Sequence, residues 1–567
     1  MLRRALFLGI LVAGLLTTFS LAANHPSVIL ITLDSVRADR MGFLGAHHGL
    51  TPNLDVLAKQ SLVFERAYAQ APTTVVSHAT ILTGTYPQTN HATELGTPLV
   101  PGIPYLPDSL RQAGYSTAAF AGSVLLDPRN GFAPGFDRGF TAYDASFPAA
   151  LGAPSPERPA ALVIPRAEKW VASQSGHPFF AWLHFADAHI ATGPSYNRAV
   201  AADDDAVGKL LTVLRAQKLF DDALIVITAD HGQALGSHAE DTHGIFLYDE
   251  TIHVPLLVKL PQQQMAGQHV TGRVRLVDVA PTVLEAIGIP VPSQMQGQSL
   301  LRIARTSPAA GQPVYSRSDL PQQAFGWSVL ESWRAGKYLY IRAPKPELYD
   351  LSADPEATHN LASTSKATLD TIAAQLQAFD AHMAGAKNSA SGLSASEAQK
   401  LASLGYVGLE RAGGPVNAAS SGTDPKDAIE IANKTIAAET ALRQGKTEAA
   451  SAAFEKIAAQ DPNAFLPQFG LGAALAARQQ YKSAIEHLHK AIELQPNSGW
   501  AHFEMGACLV KTGDFKTAAV HLELAAARMP EFAESHHLLA ESYDKLGRAK
   551  EAQAERQRQA ALGSAAH

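Results

Sequence analysis

Three stretches of this sequence carry a run of apolar residues straight into carboxylates and imidazoles. Ala223-Leu224-Ile225-Val226-Ile227-Thr228-Ala229 ends on Asp230-His231-Gly232, and Ser27-Val28-Ile29-Leu30-Ile31-Thr32-Leu33 ends on Asp34. A third, Phe179-Phe180-Ala181-Trp182-Leu183-His184-Phe185, runs into Asp187 and His189. Carboxylates gathered with an imidazole form a ligand set for one divalent cation, and such a set suits Zn, Mn, Mg or Ca without choosing among them. A fourth stretch, Pro72-Thr73-Thr74-Val75-Val76-Ser77-His78-Ala79-Thr80-Ile81-Leu82-Thr83-Gly84, opens on hydroxyls and closes on glycine. It predicts a short helix whose N-terminal N–H groups and dipole favour an anion. Two more histidines stand close together in Gly236-Ser237-His238-Ala239-Glu240-Asp241-Thr242-His243-Gly244.

The elements that position these groups follow from the same runs. Each is of strand length and apolar on successive residues, the pattern of a parallel strand buried on both faces. In open α/β sheets ligands bind beyond the carboxyl ends of the strands, where all three polar clusters fall. His184, in mid-strand, reads as a packed core residue. Downstream, Tyr248-Asp249-Glu250-Thr251 followed by Val254-Pro255-Leu256-Leu257-Val258 reads as a turn and a buried strand. The stretch from Leu276 to Leu284 reads as a helix on the sheet. Both are scaffold.

Length and composition bound the rest. A chain of 567 residues exceeds one ordinary core. The net charge is −6, or −8 without Arg3 and Arg4, which gives no reason to expect nucleic acid as a partner. The single cysteine, Cys508, excludes an internal disulfide framework and any Cys-rich zinc site, and reads as a small apolar core residue. Residues 1–22 have the charged start, apolar middle and small-residue end of an export signal, with cleavage expected after Ala22. Export without disulfides suits the periplasm or envelope of a bacterium; an uncleaved membrane anchor is the alternative.

Read together, five motifs are more specific than any one alone. Asp34-Ser35-Val36-Arg37, the run from Ser77 through Leu82-Thr83-Gly84 to Tyr86-Pro87, Asp187-x-His189, Asp230-His231-Gly232 and Glu347-Leu348-Tyr349-Asp350-Leu351 stand in the order of the sulfatase family. The resemblance covers about residues 27–361. It implies the α/β fold of the alkaline phosphatase superfamily: a sandwich with a large mixed sheet and a small C-terminal sheet subdomain. It also implies that Asp34, Asp230 and His231 hold one divalent metal ion, with Thr74 at the nucleophile position and also a metal ligand. His189 and His243 match positions that contact the transferred group or the leaving oxygen. His78, His238 and Asp187 are weaker substrate-binding candidates. A second metal on Asp187, His189 and His243 is the alternative arrangement.

The chain also departs from true sulfatases. They carry Cys or Ser at the nucleophile position, converted to formylglycine, with Pro or Ala two residues later and Arg four later. Here the residues are Thr74, Val76 and His78, so no formylglycine is expected. Ser35 replaces a second acidic ligand, and Gly122-Ser123 lacks the Lys-x-His of arylsulfatases. The pattern is similar to the superfamily branch with a threonine nucleophile, which acts on phosphoesters. An Asn that often holds the phosphoryl group in that branch is replaced by Leu95. Coordination to a dication brings a threonine alkoxide within reach near neutral pH.

From Ala384 the chain turns rich in Ala, Ser and Gly, as in a linker. Leu404-Gly405-Tyr406-Val407 within it reads as a small apolar anchor. Beyond it, Asp461-Pro462, Gln495-Pro496 and Met529-Pro530 recur every 34 residues, as do Ala450, Ala484, Ala518 and Ala552. That period, with Gly472 matching Gly506, resembles tetratricopeptide repeats, three to four of them, an α-helical solenoid that binds protein. The expected division is a signal peptide at 1–22, a catalytic domain at 27–300, its C-terminal subdomain at 301–383, a linker at 384–426 and repeats at 427–563. The repeats are expected to be stabilised by their own neighbours, so that removing residues after Thr423 leaves catalysis intact. The expected function is a metal-dependent phosphoester hydrolase or transferase, a phosphodiesterase or phosphatase. The alternatives are a sulfuric ester hydrolase and a catalytically inactive scaffold.

Overall fold

The computed structural model describes residues 25–564 except 93–96, 131, 146–156, 175, 190, 192, 307–310, 384–400, 402–403 and 405–421. The export segment, Leu95 and most of the linker lie outside the described residues. Eight strands form the main sheet: β1 Val28–Leu33, β2 Leu62–Tyr68, β3 Ser116–Phe120, β4 Ala142–Asp144, β5 Phe179–Phe185, β6 Leu224–Ala229, β7 His253–Lys259 and β8 His269–Arg275. Their order is β4-β3-β5-β1-β6-β7-β2-β8. The centre is parallel, β5-β1-β6, and β7 runs against both β6 and β2, so the sheet is mixed. Every residue of β1, β5 and β6 is buried, the reason those runs show no polar alternation.

Register is what assembles the polar strand ends. Leu33 pairs with Phe185 on one side and Ala229 on the other, so all three strands finish at one level of the sheet. Asp34 and Asp230 therefore emerge side by side, though 195 residues separate the bonded pair Ser35 and Asp230 in sequence.

A second, antiparallel sheet contains β9 Val314–Ser318, β10 Leu330–Ala335, β11 Tyr338–Arg342 and β12 Glu347–Asp350, ordered β12-β11-β10-β9. Helix Lys366–Met383 packs on it through Ile372, Leu376 and Phe379, against Trp333 and Tyr340. Glu347, within the fifth motif, accepts hydrogen bonds from the Tyr248 and Tyr349 hydroxyls, 2.6 Å each, which ties the second sheet to the first.

Eight helices follow from Pro425 to Ser564, in antiparallel pairs each packed on the next. The 34-residue period has a steric cause. A Cβ on Gly472 would come within 2.7 Å of Leu488 Cγ, and one on Gly506 within 2.6 Å of Leu522 Cγ, so only glycine lets the two helices of a repeat approach this closely. Cys508 is buried in the repeat core, as its apolar reading required. Leu401 and Leu404 of the linker pack against the same core. The array is not set apart from the first body: Ile429 and Ala432 of helix Pro425–Arg443, and Ala464, belong to the main hydrophobic core. Among the described residues no helix is long and apolar enough to cross a membrane.

Candidate active site

Helix Thr74–Thr83 delivers the fourth set of groups. Its N-cap is Thr73 in an extended conformation, and Gly84 ends it at φ +63°, the left-handed C-cap that glycine takes without strain. All ten residues are buried, so the helix is a core element whose N-terminus faces the strand ends. The Ser77 hydroxyl donates to the backbone oxygen of Asp230 at 2.6 Å and fixes helix to strand.

Four groups then converge. Thr74 Oγ1 stands 3.3 Å from His231 Nε2. That nitrogen lies 3.6 Å from Asp34 Oδ1 and 3.5 Å from Asp230 Oδ2. His231 donates Nδ1–H to the Gly232 carbonyl at 2.9 Å, which leaves the Nε2 lone pair turned toward the carboxylates. Asp34, Asp230 and His231 have no exposed surface and Thr74 retains 3 %. Among the described residues Asp230 Oδ2 accepts no hydrogen bond. Burial, and the negative Asp34 beside it, push Asp230 well above the usual carboxylate range; Asp34 is also raised by burial but is held well below that range by His189 and His184. Two buried carboxylates at this distance cannot both ionise comfortably without a cation. The donor set, two carboxylates, one imidazole nitrogen and one hydroxyl, fits a divalent ion.

The other candidates are placed as follows. His189 Nδ1 is 2.9 Å from Asp34 Oδ1, and its ring is partly exposed at the mouth of the site. Burial lowers its pKa, but Asp34 and Glu157 outweigh this and raise it to about 9. The His243 ring lies 4.4 Å from that of His231 and 5.1 Å from that of His189. Its Nδ1 bonds Gln233 Oε1 at 2.6 Å, and burial with its two histidine neighbours keeps it neutral.

Three weaker candidates are corrected by geometry. His78 is fully buried behind the ligands, with Nδ1 donating to the Thr74 carbonyl at 2.8 Å and Nε2 bonded to Thr32 Oγ1 at 2.9 Å; it supports the helix and does not face substrate. His238 spends both ring nitrogens on Glu250 (2.5 Å) and the Ala357 carbonyl (3.1 Å) and stacks on Tyr248, away from the site. Asp187 accepts from Ala160 N at 2.7 Å, at the start of helix Ala160–Ala172, and lies beside Asp203. That removes it from a second-metal set; besides Asp34, Asp230 and His231, the groups that do assemble are His189, His231 and His243, and His78, His184 and Asp230.

Two residues were missed. His184, expected to be inert core, is fully buried but sets Nε2 3.2 Å from Asp34 Oδ2. Register places it opposite Thr32, which no single sequence displays. Glu157 lies 3.9 Å from His189 Nε2 and accepts from the Ser123 hydroxyl at 3.2 Å. Burial drives it up to about 7. No motif surrounds it.

The sulfatase family model matches residues 26–289, the C-terminal model of N-sulphoglucosamine sulphohydrolase matches 242–382, and a tetratricopeptide repeat model matches 472–513. Arylsulfatase K of Rattus norvegicus is 28% identical over 222 residues, 36% of this chain and 38% of that protein, so the chain aligns with little over a third of its length. The ulvan-active sulfatase of Formosa agariphila is 25% identical over 424 residues, 63% of this chain and 80% of that one. Among solved structures, the phosphonate monoester hydrolase of Agrobacterium radiobacter superimposes with a TM-score of 0.53 at 20% identity, covering 63% of this chain and 96% of that one.

Proposed function

Residues 26–382 belong to the sulfatase family, and from that premise we propose that the chain is a metal-dependent phosphoester hydrolase whose nucleophile is the Thr74 hydroxyl. The observation that carries the proposal is the position of Thr74, first residue of its helix, with Oγ1 3.3 Å from His231 Nε2 among the carboxylates. Threonine is not a precursor of formylglycine in this family, so the hydroxyl itself is the attacking group. A divalent ion held by Asp34, Asp230, His231 and Thr74 would stabilise the alkoxide and neutralise charge on the transferred group. The Thr74 proton is released to solvent. Its Oγ forms a bond to phosphorus as the bond from phosphorus to the leaving oxygen breaks. His189, held protonated by Asp34, gives its proton to that leaving oxygen. Water then attacks phosphorus as the bond from phosphorus to Thr74 Oγ breaks; the water's proton returns to the neutral His189, and Thr74 Oγ regains its proton from solvent.

A second reading, sulfate ester hydrolysis, is favoured by the names of the two relatives described above, both called sulfatases. Turnover of an aryl phosphate, a bis-aryl phosphate, an aryl phosphonate monoester and an aryl sulfate by the purified, metal-loaded chain separates the two. Preference for a phosphorus ester supports the Thr74 route, and preference for the sulfate ester sinks it. Well-folded protein with neither bound metal nor turnover would instead mark an inactive scaffold. The N-terminal residue pattern supports export, and the repeats support a protein partner.

A further inference from the structure

The stretch that supplies Glu157 is pinned between the ends of two strands. On one side it meets the residues that follow β3: Ser123 and Glu157 form an antiparallel bridge, and Arg158 N donates to the Gly122 carbonyl at 2.6 Å. Only glycine fits at 122, because a Cβ there would fall 2.6 Å from the His184 carbonyl oxygen and 3.2 Å from that of Arg158. The Arg158 guanidinium fastens the same stretch, donating to the Ala121 carbonyl at 2.6 Å and to Asp144 Oδ1 at 3.0 Å. On the other side, three residues after Glu157, Ala160 N donates to Asp187 Oδ2 at 2.7 Å, and Asp187 stands two residues before His189 in the turn that leaves β5. Asp187 therefore ties the backbone carrying Glu157 to the backbone carrying His189. Side chains complete the frame. The Ser123 hydroxyl donates to Glu157 Oε1 at 3.2 Å, and that oxygen lies 3.9 Å from His189 Nε2, while Asp34 Oδ1 lies 2.9 Å from His189 Nδ1. The imidazole thus has a carboxylate at each end.

We propose that Glu157 is a positioning residue of the reaction, which aims the Nε2–H of His189 at the leaving oxygen, and that Ser123 and Asp187 hold Glu157 in place to do so. The inference rests on the ester hydrolysis proposed above. A ring held only through Nδ1 can still pivot about that one hydrogen bond, and a second carboxylate at the far nitrogen removes the freedom. The 3.9 Å separation decides what kind of partner Glu157 is. It lies within ion-pair range but beyond hydrogen-bond reach, so the carboxylate attracts the Nε2 end of the ring without engaging its proton, which stays available to the leaving oxygen. With the two side chains 11 % and 7 % exposed, water and salt screen this attraction little.

The test compares two substrates on the full-length, metal-loaded chain: phenyl phosphate, whose leaving oxygen needs a proton as it departs, and dinitrophenyl phosphate, whose leaving oxygen does not. The readout is the ratio of the two kcat/KM values, which covers the step in which the leaving oxygen departs. Glu157→Gln keeps the size of the side chain and an acceptor for Ser123 but removes the charge. It should lower kcat/KM on phenyl phosphate about tenfold, as misaiming an acid does, and lower it far less on dinitrophenyl phosphate. Glu157→Asp should recover part of the loss, and Ser123→Ala should repeat the selective loss more weakly. An unchanged ratio in these variants, with both esters still turned over, overturns the role of Glu157 and leaves the hydrolase reading standing. An equal loss on both esters would assign Glu157 a structural role and overturn the proposal as well; should Glu157→Gln fail to fold, Ser123→Ala decides by the same ratio. His189→Ala should show a larger selective loss, and if it shows none the acid role of His189 falls, and this inference with it. Failure of the wild type to turn over either ester overturns the hydrolase reading itself.

Discussion

Thr74 Oγ1 and His231 Nε2 stand 3.3 Å apart, brought together across 157 residues of chain by one helix N-terminus and one strand end. The proposed nucleophile would thus share a cation with His231. Thr74→Ala is expected to lower turnover of a bis-aryl phosphate by at least about a thousandfold, the scale on which loss of a nucleophile acts. The melting temperature should move little, because among the described residues the hydroxyl makes no other hydrogen bond on which the fold depends. Thr74→Ser should retain measurable turnover. Full activity in the alanine variant would end the covalent route.

The carboxylates give a prediction that does not depend on turnover. Asp230 is pushed well above the usual range by burial and by Asp34, so the folded, metal-free protein holds this proton to higher pH than the unfolded chain does. Its contribution to stability is therefore present below the unfolded carboxylate pKa and lost as pH rises toward the folded one. A divalent ion removes that penalty, so chelation should lower the melting temperature more at pH 8 than at pH 5. In Asp230→Asn the metal content should fall and the chelator effect should vanish. Equal melting curves with and without chelator at both pH values would show that no ion is held here.

How much of this was legible in the sequence depends on what each feature needs. The strand runs ending on Asp34 and Asp230 were legible because burial on both faces leaves an unbroken apolar string. Helix Thr74–Thr83 was legible from its hydroxyl start and glycine stop. The fates of His78, His238 and Asp187 were not, because proximity to a motif says nothing of which way a side chain points. His238 turns at φ +51° and is taken up by Glu250 and Ala357, the latter 119 residues away. His184 and Glu157 were invisible for the complementary reason: register and loop packing bring them to the site. The fastening of the first repeat helix was also hidden, since Ile429 and Ala432 read equally well as the inner face of a repeat.

Glu240 supplies a pH prediction clear of the ligands. Its buried carboxyl accepts from the backbone N–H groups of Ile245 at 2.8 Å and Phe246 at 3.2 Å, bracing the loop that follows His243. Burial raises it to about 8, more than the two N–H groups lower it. With the folded value above the unfolded one, stability from this group is complete below about pH 4.5 and is lost as pH rises through 8. Glu240→Gln should flatten the pH dependence of the melting temperature between those limits. An unaltered profile would show that the carboxyl titrates normally.

The repeat array yields the last prediction, and it revises the expectation that the repeats stand alone. Removing residues after Thr423 would uncover the apolar surface now covered by Ile429, Ala432 and Ala464, and would strip Lys345, Glu347 and the Ala239–Asp241 loop of their partners. The truncated chain is expected to melt lower, to bind a hydrophobic dye, and to lose turnover even of a small aryl phosphate as the loop bearing His243 is released. A milder lesion separates this docking from the integrity of the repeats. In Gly506→Ala the new methyl meets Leu522 Cγ at 2.6 Å, an overpacking that costs about 1–3 kcal/mol. The site lies on another body of packing, so kcat on the small ester should hold while the repeat helices melt earlier. If the truncation left both the melting temperature and small-ester turnover at wild-type values, the contacts of helix Pro425–Arg443 would be dispensable and the two halves would be independent after all.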